Sequence, residues 1–218
     1  MKYGGAIFDL DGTLANTLTD IADSMNRVLK ANRYPVHSVE DYKFLVGKGL
    51  ENLVSLALPE KSRQPALVSK CLAEMLEDYR ENCLVSTSLY DGIRELLAEL
   101  AQSGIKMAVF SNKAEPLTRK IVSNLLPDIR FVRVMGARSG LPKKPDPAGA
   151  LMISSQMEVP PWNVVYLGDS DIDMITATRA GMFAVGVLWG FRSGEELQAN
   201  GAKRLLKHPS DLMYILTE

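Results

Sequence analysis

The sequence has 218 residues, of which 46% are hydrophobic and 23% are charged, and its formal net charge is −1. This length allows one large domain or one domain with an insertion, and the composition is that of an ordinary globular protein. The near-zero charge gives no electrostatic case for a nucleic-acid partner. No uninterrupted apolar stretch is long enough to cross a membrane, so we expect no membrane partner.

The cysteines and the amino terminus favour a reducing compartment. Cys71 and Cys83 are isolated thiols whose spacing fits neither a disulfide framework nor a metal site. Residues 1–5 lead directly into an apolar strand and contain no apolar core of a signal peptide. We therefore expect a cytoplasmic protein.

The first part of the chain predicts one short strand and then four helices. The apolar run Ala6–Phe8 predicts a buried strand that stops at Asp9. Apolar residues at helical spacing then predict helices at 17–33, 38–45, 50–58 and 62–82. A single crossover between parallel strands does not need four helices. We therefore predict a helical cap domain at 16–85, inserted into an α/β core domain formed by 1–15 and 86–218.

From residue 90 onward, apolar strands alternate with helices. The predicted strands are 105–110, 129–135, 164–167 and 183–187. The predicted helices are 93–103, 116–126, 148–157, one that ends at 180, one from 195 and a last one from 210. This alternation predicts an α/β fold with a Rossmann-like parallel sheet covered by helices on both faces.

Three predicted strands end in polar side chains. Asp9, Ser111 and Asp169 each follow an apolar strand, and Asp11 comes two residues after the first of them. The carboxyl ends of parallel strands share one edge of a sheet, so we expect these side chains to lie together. Neighbouring carboxylates repel unless a cation lies between them, and Mg²⁺ suits a site with few carboxylates and a bound phosphate.

Further polar residues complete a possible phosphate site. Ser111, Asn112 and Lys144 can hold phosphate oxygens, as phosphoryl transfer requires. Each motif also has a structural interpretation, because Asp-Gly suits a turn, Ser111-Asn112 a helix cap and Lys144 an exposed loop. The structural interpretation needs several coincidences, so the combination favours a functional site.

Four segments resemble, in sequence order, the motifs of the haloacid dehalogenase superfamily of phosphotransferases. They are Asp9-Leu10-Asp11-Gly12-Thr13-Leu14, Ser111-Asn112, Lys144 before Pro145-Asp146-Pro147, and Gly168-Asp169-Ser170-Asp171-Ile172-Asp173. The predicted helical insertion resembles the cap of that family. Two further segments are similar to phosphoglycolate phosphatases: Val46-Gly47-Lys48-Gly49-Leu50, and Trp189-Gly190-Phe191-Arg192 with Gly201-Ala202.

The resemblance implies a Mg²⁺-dependent phosphatase that acts on a small phosphorylated metabolite through an aspartyl-phosphate. Asp9 would be the nucleophile, and Asp11 would act as acid and then as base. Ser111 and the backbone amide of Asn112 would bind a phosphoryl oxygen. Lys144 would hold Asp9 and the phosphate together, with the adjacent lysine at 143 as the alternative. The second acid argues against a dehalogenase, because a halide leaves unprotonated.

The resemblance also implies the ligands of the metal. Asp9 and Asp169 would bind Mg²⁺ through carboxylates, and Asp11 would bind it through its backbone carbonyl. Asp173 would be an acid of the metal site, directly or through water, with Asp171 as the alternative.

Two further residues are predicted to contact the substrate. Thr13, in the first motif, is one of them. Lys48, between two glycines of the predicted cap, would face the substrate and contact a carboxylate such as that of phosphoglycolate. The alternative for Lys48 is an exposed loop lysine.

Other functions stay open on the same residues. They are a phosphosugar mutase of the β-phosphoglucomutase type, a pyrophosphatase or nucleotide phosphatase, and a non-catalytic binding protein. The quaternary structure is expected to be a monomer or a homodimer.

Overall fold

The computed structural model describes residues 2–217, which form a parallel sheet and a small antiparallel ribbon. The strands are β1 (Gly5–Phe8), β2 (Ala15–Asn16), β3 (Ser88–Leu89), β4 (Lys106–Ala114), β5 (Arg133–Ala137), β6 (Val164–Gly168), β7 (Phe183–Val187) and β8 (Arg204–Leu206). The helices are α1 (Leu18–Ala31), α2 (Val39–Tyr42), α3 (Leu50–Ala57), α4 (Pro65–Asn82), α5 (Ile93–Gln102), α6 (Glu115–Leu125), α7 (Ala148–Met157), α8 (Asp171–Arg179), α9 (Gly194–Ala199) and α10 (Leu212–Thr217).

The sheet has the order β5-β4-β1-β6-β7-β8, and every pair in it is parallel. Side chains of β1 alternate between its faces, with Phe8 in one core cluster and Ile7 in the other. Helices α5, α6 and α10 pack on the Phe8 face, and α7, α8 and α9 pack on the Ile7 face. Burial on both faces explains why the strands are continuous apolar runs. The predicted Rossmann-like fold is confirmed.

Helices α1 to α4 form a helical segment between the two strands of the ribbon. Ala15 pairs with Leu89 and Asn16 pairs with Ser88, so both connections to this segment pass side by side. Buried side chains of α1, α3 and α4, including Met25, Leu53 and Met75, belong to the Phe8 core cluster. The domain boundaries at 15 and 86 stay a prediction.

Several element boundaries differ from the sequence-based expectations. The expected end of a strand at Phe110 is wrong, because β4 continues to Ala114 with a shift of register against β5. Strand β5 begins at Arg133 rather than 129, and α4 begins at Pro65 rather than 62. The ribbon and β8 were not expected, because two or three residues are too few to show alternation.

In the part of the chain that the structure describes, none of the helices combines the length and the apolarity needed to cross a membrane.

Asp20 of α1 binds the chain between α4 and β3, which is the second connection of the helical segment to the sheet. Its carboxylate accepts bonds from Ser86 N at 2.9 Å, Thr87 N at 2.9 Å and Thr87 Oγ1 at 2.7 Å. We expect Asp20→Ala to lower the free energy of unfolding by about 2–3 kcal/mol, because it leaves these donors unpaired. Urea denaturation measures the change. Asp23→Ala, at an exposed position of the same helix, is the control, and equal losses in the two variants would contradict this role.

Candidate active site

The carboxyl ends of β1, β4 and β6 surround one cavity, which α1 and α3 cover from above. The residues predicted for catalysis or binding that line it are Asp9, Asp11, Ser111, Asn112, Lys144 and Asp169. Its apolar wall consists of Ile21, Val46, Leu50 and Leu53 from the helical segment. The structure therefore brings together residues that are up to 160 positions apart in the sequence, from 9 to 169.

Three buried carboxylates lie together, and two of them, Asp9 and Asp169, line this cavity. One oxygen from each of Asp9, Asp169 and Asp173 lies within 4.8 Å of the others. Lys144 Nζ lies 2.8 Å from Asp9 Oδ1 and 2.7 Å from Asp173 Oδ1. Burial alone would lower the pKa of Lys144, but the charges of Asp173 and Asp9 raise it well above its ordinary value. The lysine is therefore charged, and it balances only one of the three acids.

Burial and the closeness of the three acids raise the pKa values of two of them. Burial and repulsion by Asp173 raise the pKa of Asp9 to about 7. Burial, with repulsion by Asp173 and Asp9, raises the pKa of Asp169 well above its ordinary value. Among the described residues, the contact found for the Asp9 carboxylate is the ion pair with Lys144. A cluster of three carboxylates with one ammonium fits a hard divalent cation such as Mg²⁺, which prefers oxygen ligands.

The geometry distinguishes Asp173 from Asp171, the two candidate metal-site acids of the fourth motif. Asp173 is fully buried, and its Oδ2 accepts bonds from Ser170 Oγ at 2.6 Å and Ser170 N at 3.2 Å, which caps α8. Asp171 is half-buried and lines an outer cleft. Asp173 therefore lies in the carboxylate cluster and Asp171 lies outside it.

Asp169 is oriented by two contacts. Phe191 N donates to Asp169 Oδ2 at 2.8 Å, and Thr13 Oγ1 donates to Oδ1 at 3.4 Å. Thr13 is fully buried and does not line the cavity, so its predicted contact with substrate is not supported. Trp189 Nε1 donates to the Thr13 carbonyl at 2.9 Å and holds this turn in place.

The side chain of Asn112 connects two loops to the sheet by hydrogen bonds. Its side-chain amide donates to the carbonyls of Gly47 and Lys144, each at 3.0 Å, and its Oδ1 accepts from Lys144 N at 2.9 Å. The side chain is thus occupied, and the predicted role falls to the backbone amide of Asn112. Ser111 Oγ accepts from Lys113 N at 3.1 Å, which leaves its hydroxyl proton for another acceptor.

Lys48 is not brought to the cavity. Gly47 and Gly49 line it, with positive φ values of 120° and 91° that turn the loop inward at the glycines. The Lys48 side chain is exposed and lines two outer clefts instead. Its predicted contact with the substrate is therefore not supported by this geometry. Lys143, the alternative to Lys144, is also exposed.

Two cations that sequence reasoning missed line the cavity. Lys113 Nζ lies 2.6 Å from Asp11 Oδ1, and its position two residues after Ser111 on a strand was the available signal. Arg192 donates to the carbonyls of Lys43 and Val46, and so connects the loop after β7 to the helical segment. No local pattern indicated this second contact.

Gly12 permits the close approach of β1 to Asp169. It has a φ of 83°, and a β-carbon at this position would overlap Asp169 Oδ2. If the carboxylate cluster holds a divalent cation, Gly12→Ala is expected to weaken the binding of added Mg²⁺ by about 10- to 100-fold, because the methyl group would displace this carboxylate. Calorimetric titration measures the affinity. Gly104→Ala, at a φ of 72° with open space around it, controls for backbone strain, and equal affinities in both variants would contradict the prediction.

Comparisons with known proteins match most of the chain. The model of the haloacid dehalogenase-like hydrolase family matches residues 6–187. A phosphoglycolate phosphatase of Pseudomonas putida is 31% identical over 88% of this chain and 72% of its own length. One of Aquifex aeolicus is 30% identical over 96% of this chain and 95% of its own length.

A solved structure agrees with these relatives. A protein of Lactobacillus delbrueckii subsp. bulgaricus, proposed to be a phosphoglycolate phosphatase, is similar with a TM-score of 0.93 and 31% identity over 99% of both chains. The resemblance seen in the four sequence motifs is thus confirmed. The chain belongs to the haloacid dehalogenase-like hydrolase family, and it is a phosphatase similar to the phosphoglycolate phosphatases.

Proposed function

We propose that this protein is a Mg²⁺-dependent phosphatase that hydrolyses phosphoglycolate, or a closely similar small phosphorylated acid, through an aspartyl-phosphate at Asp9. The observation that carries the proposal is the Asp9 carboxylate, which lines the cavity, lies 2.8 Å from the Lys144 ammonium and belongs to a cluster of three carboxylates. A carboxylate that lines the cavity can reach a bound phosphate and act as a nucleophile.

The reaction has two proposed steps. In the first, the Asp9 carboxylate attacks phosphorus, the bond from phosphorus to the leaving oxygen breaks, and Asp11 gives that oxygen a proton. In the second, Asp11 takes a proton from water, the water oxygen attacks phosphorus, and Asp9 is released with inorganic phosphate. One residue serves as acid and then as base, so its protonation state is restored after each turnover.

The remaining site residues would bind the phosphate group of the substrate and the metal ion. Ser111 Oγ and the Asn112 amide would donate to phosphoryl oxygens, and Lys144 would hold the phosphate against Asp9. Mg²⁺ would be held by the carboxylates of Asp9 and Asp169 and the carbonyl of Asp11, with Asp173 direct or through water. Its charge would offset the repulsion between a carboxylate nucleophile and a phosphate dianion.

The cavity favours a small substrate. Ile21, Leu50 and Leu53 of the helical segment line it opposite the carboxylates, so it is suited to a compact phosphorylated molecule. The relatives reported above are phosphoglycolate phosphatases, which supports a short phosphorylated acid. We also propose that residues 16–85 act as a cap that admits this substrate and then excludes water.

A substrate panel tests the proposal. Purified protein with MgCl₂ is incubated with phosphoglycolate, pyrophosphate, a nucleoside monophosphate and a hexose phosphate, and phosphate release is measured. We expect the highest kcat/KM for phosphoglycolate and loss of activity with EDTA. No phosphate release from any compound would contradict the proposal, and an isomerised hexose phosphate would identify a mutase instead.

A further inference from the structure

A buried ion pair ties Asp11 to the helical segment. Lys113 Nζ lies 2.6 Å from Asp11 Oδ1 and donates to the Tyr79 hydroxyl at 2.8 Å. Tyr79 is fully buried on α4, whereas Lys113 is on β4 of the sheet and is only 4% exposed. Three residues from three separate parts of the chain therefore form one hydrogen-bonded unit beside the cavity.

The ammonium of Lys113 has little freedom to move. Besides its two hydrogen bonds, it lies 4.8 Å from the centre of the Tyr79 ring, close enough for a cation–π contact. The ammonium is buried, and a buried charge without polar partners would lower the stability of the fold. Lys113 therefore needs its contacts with both Asp11 and Tyr79. Tyr79 on α4 and Asp11 together therefore fix the position of Lys113.

Both donors to Asp11 use the same oxygen. Thr17 Oγ1 donates to Asp11 Oδ1 at 2.5 Å, and Lys113 Nζ donates to that oxygen as well. An oxygen that accepts two donors is a poor site for a further proton. The two bonds to Oδ1 therefore fix the rotation of the carboxylate and leave Oδ2 as the oxygen that can exchange a proton with the substrate.

We propose that Lys113 and Tyr79 are positioning residues that orient Asp11 for protonation of the leaving oxygen, and that they make this orientation depend on the packing of α4. The inference rests on the proposed function, because it assumes that Asp11 is the acid. When α4 is in place, Lys113 is satisfied on both sides and Asp11 is aligned. When α4 is displaced, Lys113 loses the Tyr79 hydroxyl and ring, and Asp11 loses its alignment.

The test compares two small substrates that differ in their need for an acid. The leaving group of phosphoglycolate is an alkoxide, which must be protonated, whereas acetate leaves acetyl phosphate unprotonated. The kcat/KM covers the steps up to the transfer of phosphate to Asp9, so it reports on the acid and not on the later base. The variants are Tyr79→Phe, Lys113→Met and Lys113→Arg.

We expect a loss that is selective for phosphoglycolate. Tyr79→Phe is expected to lower its kcat/KM by about tenfold and Lys113→Met by about a hundredfold, while kcat/KM for acetyl phosphate changes by less than about twofold in Tyr79→Phe. Lys113→Arg keeps the charge and is expected to recover part of the loss. The matched control is Tyr42→Phe, because Tyr42 is also buried in the helical segment and its hydroxyl bonds only Asn26 at 2.8 Å among the contacts found.

Equal losses on both substrates in Tyr79→Phe, or the same result in Tyr79→Phe and Tyr42→Phe, would overturn the positioning role. Tyr79→Phe removes a single hydroxyl from a folded core, so this comparison stands even where Lys113→Met fails to fold. Asp9→Asn in the same assay separates the two claims. Turnover by Asp9→Asn would contradict the proposed function, whereas an inactive Asp9→Asn with unselective Tyr79→Phe would overturn only the inference.

Discussion

Replacing Asp9 by asparagine is expected to lower kcat/KM for phosphoglycolate by at least about a thousandfold, because an amide cannot attack phosphorus and form an acyl phosphate. Phosphate release under saturating MgCl₂ measures the effect. Asp171→Asn is the matched control, since this acid is in the same motif as Asp169 but lines an outer cleft. Similar activities in the two variants would contradict the assignment of the nucleophile.

The same variant is expected to be more stable than the wild type in the absence of metal. The pKa of Asp9 is raised to about 7 in the folded protein, so its ionisation destabilises the fold as the pH rises from about 4 through 7. Asparagine stays neutral over this range. Urea denaturation with EDTA should show a gain on the order of 4 kcal/mol at pH 8 and no gain below pH 4. A loss of stability at pH 8 would contradict the account of the charge cluster.

Replacing Lys144 by methionine is expected to reduce both activity and stability. Its ammonium lies within 3 Å of Asp9 Oδ1 and Asp173 Oδ1, and it donates to the Phe110 carbonyl at 3.0 Å. Removing it leaves buried carboxylates without their cation, so we expect the free energy of unfolding to fall by about 3–5 kcal/mol without metal. The kcat/KM is expected to fall by about 10²- to 10³-fold, as for loss of one electrostatic group.

Two comparisons make the Lys144 result specific. Lys143→Met removes the adjacent, exposed lysine and is expected to change stability by less than about 0.5 kcal/mol. Added MgCl₂ is expected to return part of the stability of Lys144→Met, because a divalent cation also compensates the carboxylates. A Lys144→Met protein as stable and active as Lys143→Met would show that the lysine does not balance the acid cluster.

The convergence of the site could be predicted from the sequence because it depends on a general property of parallel sheets. Asp9 and Asp169 follow buried strands, and the rule that such residues share one edge placed them correctly, whereas Ser111 reaches the same edge although β4 continues past it. The choice between Asp173 and Asp171 required only the family motif, and the structure places the first of them in the cluster. Long, regular helices such as α1 were also predicted, since their apolar spacing is strong.

The parts that could not be predicted depend on contacts between distant segments. The partners of Lys113 are 102 and 34 residues away in the sequence, and no local pattern encodes such pairs. The continuation of β4 through Lys113 follows from pairing with β5 across a shifted register. Lys48 was expected to face the substrate because it lies between glycines, but those glycines face the cavity and direct the lysine outward.

The most direct test of the central claim is a search for the covalent intermediate. Wild-type protein is mixed with excess ³²P-labelled phosphoglycolate and MgCl₂, quenched in acid during the first turnover, and digested for peptide mapping. A label that maps to Asp9, is released by hydroxylamine and is missing in Asp9→Asn is the result we predict. Phosphate release without any labelled protein, or a label at another residue, would contradict the mechanism.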